Sequence, residues 1–204
     1  FDRREAVDFT GTPLTDVGFL ARIHGLKELV LARTGLGDQQ VPALPKVKRL
    51  VLDGNAIRRP GLEDLAKQTE LVELSLAGAG FADEDLASLP KLPQLQKLAL
   101  DGNTIRGPGL RSLADQPQLK ELSLACPSLT DAGAPNLAGL KGLTRLSLAK
   151  SGIGDAGLKH LEGLTNLTEL DLSGTKVSAA GVAALQKALP KCKIQWDKEG
   201  RGKK

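Results

Sequence analysis

Few side chains in this 204-residue chain are of a type that does chemistry. There are two cysteines, Cys126 and Cys192, and two histidines, His24 and His160. A thiol beside an imidazole would give a nucleophile and its base, two thiols a disulfide, and all four a zinc site. Zinc sites gather their ligands at short spacings, and these four stand far apart in the sequence. The triplets Asp53-Gly54-Asn55 and Asp101-Gly102-Asn103 have the look of calcium loops. Such loops need further acidic ligands at alternate positions and a closing Glu, and neither triplet supplies that set. Asp-Gly is better read as turn chemistry. Arg58, Arg59 and Arg106 follow the triplets and could hold an anion, but loop arginines are more often simply solvated. No Gly-rich phosphate loop occurs, and no serine stands in a nucleophile-elbow pattern. The chain reads as non-catalytic, with no metal site and no cofactor.

The element that positions all of these residues is a repeat. A frame L-x-x-L-x-L begins at Leu26, Val47, Leu71, Leu95, Leu119, Leu143 and Leu167. From Leu50 the middle position advances by 24 residues, through 74, 98, 122, 146 and 170 to Ile194. A degenerate first copy stands at Val7 and Phe9, and a closing one at Ile194 and Trp196. The central L-x-L predicts a short strand with both leucines on one face. A small polar residue follows (Thr12, Thr34, Asn55, Asn103, Ser151, Thr175), then an apolar plug, a helix-start residue such as Asp16, Asp131 or Asp155, and a G-L-x-x-L helix. One such unit cannot bury its leucines alone, whereas stacked units share a continuous spine.

These motifs resemble the leucine-rich repeat family, closest to its short 24-residue bacterial type, similar to GALA-like and planctomycete tandem repeats. The resemblance spans about Val7 to Trp196. It implies an α/β solenoid, with a curved parallel sheet inside, short helices outside and a binding role for the concave face. It also implies an asparagine ladder, and Ala79 and Pro127 interrupt that ladder, so looser or hydrated turns are expected there. The expected organisation is one solenoid of about eight to nine repeats over 1–196, closed by a strand at 192–196, with a flexible basic tail over 197–204. Arg4 occupies a leucine position in the first repeat, so Phe1 to Glu5 or an upstream segment is expected to cover the exposed edge. Leu185, Leu189, Ile194 and Trp196 are expected to close the other end.

In a stack, the residues beside the strand leucines form columns on the inner face. One column reads Glu28, Arg49, Glu73, Lys97, Glu121, Arg145, Glu169, Lys193, alternating in sign throughout. Neighbouring strands lie about 4.8 Å apart, so each carboxylate has a basic neighbour. The ladder either neutralises itself or forms a recognition strip. Asp53, Asp101 and Asp171 stand in the adjoining columns among Ser, Ala and Val, which predicts a flat floor and a wide polar contact instead of a deep pocket. A second period of 48 residues relates Asp53–Arg58 to Asp101–Arg106.

Net charge is +4, and the last eight residues supply half of it. A near-neutral body and 2% aromatics argue against nucleic acid. No apolar run is long enough for a membrane span. In a stack the two cysteines fall about 14 Å apart, which predicts free thiols and weakly favours a cytoplasmic setting. The expected role is a protein-interaction module. The alternatives are a structural or regulatory repeat region of a larger protein, with other domains of a longer chain as its neighbours, or an effector-like adaptor.

Overall fold

The computed structural model describes residues 5–197. Among the described residues nine strands form one open parallel sheet in chain order. They are β1 (Ala6–Asp8), β2 (Glu28–Val30), β3 (Arg49–Val51), β4 (Glu73–Ser75), β5 (Lys97–Ala99), β6 (Glu121–Ser123), β7 (Arg145–Ser147), β8 (Glu169–Asp171) and β9 (Lys193–Gln195). Equivalent residues lie side by side: Leu29, Leu50, Leu74, Leu98, Leu122, Leu146, Leu170 and Ile194 are register partners in turn. The frame leucines are almost completely inaccessible and belong to one cluster running through the stack. Each buried leucine contributes roughly 1.5–3 kcal/mol, and every one lies against leucines of the neighbouring coils, so no coil is stable alone.

The chain returns outside the sheet through short helices. Among the described residues four are α-helical: α1 (Arg59–Asp64), α2 (Asp83–Leu86), α3 (Asp155–Leu158) and α4 (Ala179–Ala188). Others, such as Pro108–Asp115 and Ala134–Leu137, are 3-10 turns. The G-L-x-x-L spacing alone suggested α-helix throughout. A 24-residue coil leaves little chain for the return, and the tighter turn spans it in fewer residues.

Backbone groups inside the stack are satisfied by three side-chain ladders. In the first, buried Asn55 accepts from the amides of Thr34 and Leu36, both at 3.1 Å, and donates to the carbonyls of Leu31 and Leu52. Asn103 accepts from Phe81 and donates to Leu76 and Leu100. The gaps at Ala79 and Pro127 are not loose, as their side chains suggested. Arg58 reaches across to donate to the Ala79 carbonyl at 2.7 Å, so it caps backbone and is not a free edge cation. Beside Pro127, the fully buried Cys126 thiol donates to the Leu100 carbonyl, a role its neighbour cannot fill. The weak point lies one coil further on. Ser151 Oγ is buried and has no hydrogen-bond partner among the described residues.

The second ladder was not apparent from the sequence. Buried Gln68 accepts from Val47 N and donates to Pro45 O, and Gln116 does the same for Leu92 N and Pro90 O. The third goes beyond the helix-start reading. Asp155 does open α3, and Asp16 accepts from Gly18 N at its own helix, but aspartates at this position also cap the next coil. Asp38 accepts from the amides of Arg58 and Gly61, Asp83 from Arg106, Gly107 and Gly109, and Asp131 from Gly154 and Gly157. A Cβ on Gly61 would stand 2.7 Å from Asp38 Oδ1, and one on Gly157 2.5 Å from Asp131 Oδ1. The glycine of G-L-x-x-L is therefore fixed by the preceding aspartate.

The last aspartate of this series, Asp155, binds the hydroxyl and amide of Ser178, which caps α4 in turn through Gly181 N. Those donors hold its carboxyl below the ordinary 3.8. The folded pKa lies below the unfolded one, so its stabilising contribution is full above the unfolded value. It disappears as pH falls through the lowered one. Acid is expected to loosen the start of α4 before the central coils. The protection factor of the Gly181 amide, its exchange corrected for the intrinsic pH dependence, should fall with acidification in the wild type, and Asp155→Asn should flatten that fall. An unchanged profile in the variant would refute the assignment.

At the first edge Val7, Phe9, Leu14 and Ile23 are half-buried against the core. Phe9 meets Phe19 edge to face at 5.6 Å, and Phe19 stays 40% exposed. The covering role expected of Phe1 to Glu5 and the tail expected over 197–204 fall outside the described residues, apart from two. Glu5 O accepts from Lys27 N and Glu28 N, and Asp197 Oδ2 accepts from Gly174 N. At the far end Leu185 and Leu189 are buried, with Ile194 and Trp196 half-buried over them.

Candidate functional site

The strand pleat sends the residue on each side of the middle leucine to the inner face. The register therefore sets Glu28, Arg49, Glu73, Lys97, Glu121, Arg145, Glu169 and Lys193 in one row. Arg49 pairs with Glu28 on one side and, at 3.2 Å, with Glu73 on the other. Lys97 bridges Glu73 at 3.1 Å and Glu121 at 3.8 Å, and Arg145 bridges Glu121 at 3.6 Å and Glu169 at 3.2 Å. Six ion pairs thus connect seven residues without a gap. These side chains are roughly a third to a half exposed, so each pair contributes about 0.2–1 kcal/mol and is weakened by salt. Lys193 is the end of the row and has no carboxylate partner among the described residues.

The remaining predicted residues stand beside this row and serve the next strand. Asp53 Oδ1 accepts from Ser75 Oγ at 2.5 Å and from Ala77 N at 2.9 Å. Asp101 repeats this with Ser123 Oγ at 2.6 Å and Ala125 N at 2.7 Å. Asp171 instead folds back on Ser173 N and Oγ. The Asp–Ser cross-links went unnoticed in the sequence, although Asp53-to-Ser75 and Asp101-to-Ser123 share one spacing and could have disclosed them. Neither triplet forms a cation loop, because Asn55 and Asn103 are spent inside the stack.

The flat floor expected from small residues is in fact the bottom of a groove of about 510 Å³. The paired charges make one wall, and Val51, Ser75, Ala99, Ser123, Ser147 and Asp171 make the floor. Curvature of the sheet, which a column of residue names does not reveal, turns a level strip into a trough.

The nucleophile candidates lie elsewhere. Cys126 and Cys192 are both buried and unbridged. Burial pushes both thiols up, with Glu169 adding to the effect at Cys192, so neither is poised as a thiolate. His24 and His160 are exposed on separate coils. Arg59 pairs with Glu63 on α1. Among the described residues no three His, Cys, Asp or Glu side chains come together to hold a metal, and no helix is long and apolar enough to cross a membrane.

Residues 117–177 match a family model described as leucine rich repeat, and residues 91–114 match a second with the same description. They carry the repeat in general, and the short bacterial type is not singled out. No curated protein matches significantly. Among solved structures, internalin C2 of Listeria monocytogenes superposes with a TM-score of 0.68 at 25% identity, over 95% of this chain and 80% of that one. An internalin (InlF) of the same organism gives 0.66 at 19% identity, over 93% of this chain and 60% of that one. TLR13 in its complex with ssRNA13 gives 0.63 at 21%, where this chain spans only 27% of the larger protein. In all, 298 solved chains match, so the architecture by itself does not choose a partner.

Proposed function

From the premise that the chain is a leucine-rich repeat protein, we propose that it is a non-catalytic protein-binding module working through its concave face. The observation that carries this reading is the groove running along the sheet from Arg49 to Gln195, ordered by the stack and lined by polar and small side chains. TLR13, part of which shares the fold, was solved in a complex with ssRNA13. Here the groove contains no aromatic side chain on which a base could stack, and a polypeptide is the better fit. The contact surface is the groove floor with Asp171, and Asp53 and Asp101 stand beside it, holding Ser75 and Ser123 in place. The row from Glu28 to Glu169 already satisfies its own charges, which supports a second reading of that row as reinforcement of the sheet.

Two variants separate these readings. Ala99→Arg with Ser147→Arg fills the groove, while Ala66→Arg on the outer face leaves it open. Capture of the native partner from cell extract is expected to fall at least tenfold in the first and to persist in the second. Undiminished capture by the groove-filled protein, with unchanged thermal unfolding, would remove the concave face as the site. Reversing Glu73, Lys97 and Glu121 together lowers the melting temperature and spares capture if the row only reinforces. It abolishes capture if the row is read by the partner.

A further inference from the structure

Charge on this molecule is segregated in a way that its total conceals. Residues 5–197 carry 22 basic and 22 acidic side chains. The segments that lead back from the outer helices to the strands (21–27, 43–48, 66–72, 90–96, 114–120, 138–144, 162–168 and 187–192) carry ten basic groups against Glu70, Asp115 and Glu162. The segments leaving the strands are balanced, six against six, over 31–38, 52–59, 76–83, 100–107, 124–131, 148–155 and 172–178. The leading segments lie together along one rim. Lys48 N donates to Lys27 O, Val72 N to Lys48 O, Gln96 N to Val72 O, Lys120 N to Gln96 O and Thr144 N to Lys120 O. Nine strands at about 4.8 Å make that rim some 40 Å long.

Lys46, Lys48, Lys91, Lys120, Lys141 and Lys191 on this rim are exposed and have no carboxylate within ion-pair distance among the described residues. Unlike the concave row, which pairs every charge from Glu28 to Glu169, the rim leaves its lysines open. The Debye length is about 8 Å at physiological salt, so an approaching surface meets the rim and not the neutral whole.

We propose that this lysine rim docks the protein on an anionic lipid surface. Three observations choose that partner over a nucleic acid. Among the described residues the exposed, unpaired cations on this rim are lysines, with Arg22 the exception; lysines are hydrated point charges suited to smeared charge, whereas Arg is the side chain matched to individual phosphates. No aromatic side chain stands in these segments to stack on a base. The charges spread along loop tips, while the large groove lies on the concave face and not on the rim. The docking is peripheral and electrostatic, and it leaves the concave groove open to its own partner.

The test is sedimentation of the full chain with vesicles of phosphatidylcholine alone and of equal parts phosphatidylcholine and phosphatidylserine. Duplex DNA and single-stranded RNA are run in parallel. Binding is expected only to the phosphatidylserine vesicles, and it should vanish at about 1 M salt, where screening falls to about 3 Å. The combined variant Lys46→Glu, Lys48→Glu, Lys120→Glu, Lys141→Glu should lose at least about tenfold in partition, and the glutamine series should lose less. The groove-filled Ala99→Arg, Ser147→Arg protein should bind vesicles as the wild type does. Three results would overturn the proposal: no preference for the anionic vesicles, binding unaffected by the four reversals, or association with the nucleic acids in place of lipid.

Discussion

Replacing Asn55 by alanine is expected to cost about 4 kcal/mol, seen as a large fall in the denaturation midpoint. Asn55 is 2% exposed, and its side-chain amide serves two amides and one carbonyl of the preceding coil and one carbonyl of its own. Alanine leaves the two amides buried and unpaired, at about 1–3 kcal/mol each, while the Leu31 carbonyl keeps the Thr34 hydroxyl and the Leu52 carbonyl keeps the backbone amide of residue 55. The informative control is the same ladder position four coils further along the array, Ser151, whose hydroxyl has no partner among the described residues. Ser151→Ala should change stability by no more than about 0.5 kcal/mol in either direction. Equal losses for the two variants would show that burial at this position matters and the ladder does not.

Gly133→Ala is the second large effect. Gly133 has an ordinary φ, so conformational freedom is not the reason for glycine. A Cβ there would overlap the carbonyl oxygen of Arg106 and stand 2.7 Å from Leu129 Cδ1. Opposite it Gly107 has φ +135°, and its own missing Cβ points at the Gly133 backbone. Two main chains touch at this junction, and neither can be moved as a side-chain tip can. The expected loss is about 3 kcal/mol or more, corresponding to a fall of roughly 6–12 °C in melting temperature. Gly139→Ala, where a Cβ meets nothing within 4 Å, should stay near the wild type. A Gly133→Ala melting temperature equal to that of Gly139→Ala would contradict the close approach.

The spine was legible because leucine spacing and strand alternation are both properties of the local chain. Leu50, Leu74, Leu98, Leu122, Leu146 and Leu170 could be aligned by counting. The charge row followed from the same count, since register carries Arg49 to Glu73 and on to Lys97. What the sequence did not disclose depends on distances between coils. Asp131 looks like the start of its own helix, and only the stacked geometry shows it reaching Gly154 and Gly157. Cys126 makes a bond to the Leu100 carbonyl that Pro127 cannot make, and Arg58 adds one to the Ala79 carbonyl, both from positions that no ladder pattern assigns to them. The groove escaped notice because depth comes from the bending of a sheet, and the lysine rim because a net charge records sums and not places.

The alternating signs of the concave row give this array a parity. Deleting the coil that contains Glu73 would bring Arg49 beside Lys97, like against like, which opposes strand pairing. Deleting that coil and the next would bring Arg49 beside Glu121 and keep every neighbour attractive. The recurrence of Asp53, Asn55, Gln68 and Ser75 as Asp101, Asn103, Gln116 and Ser123 is what growth by doublets leaves behind. Lengthened or shortened versions of this protein should therefore be tolerated in even steps and resisted in odd ones.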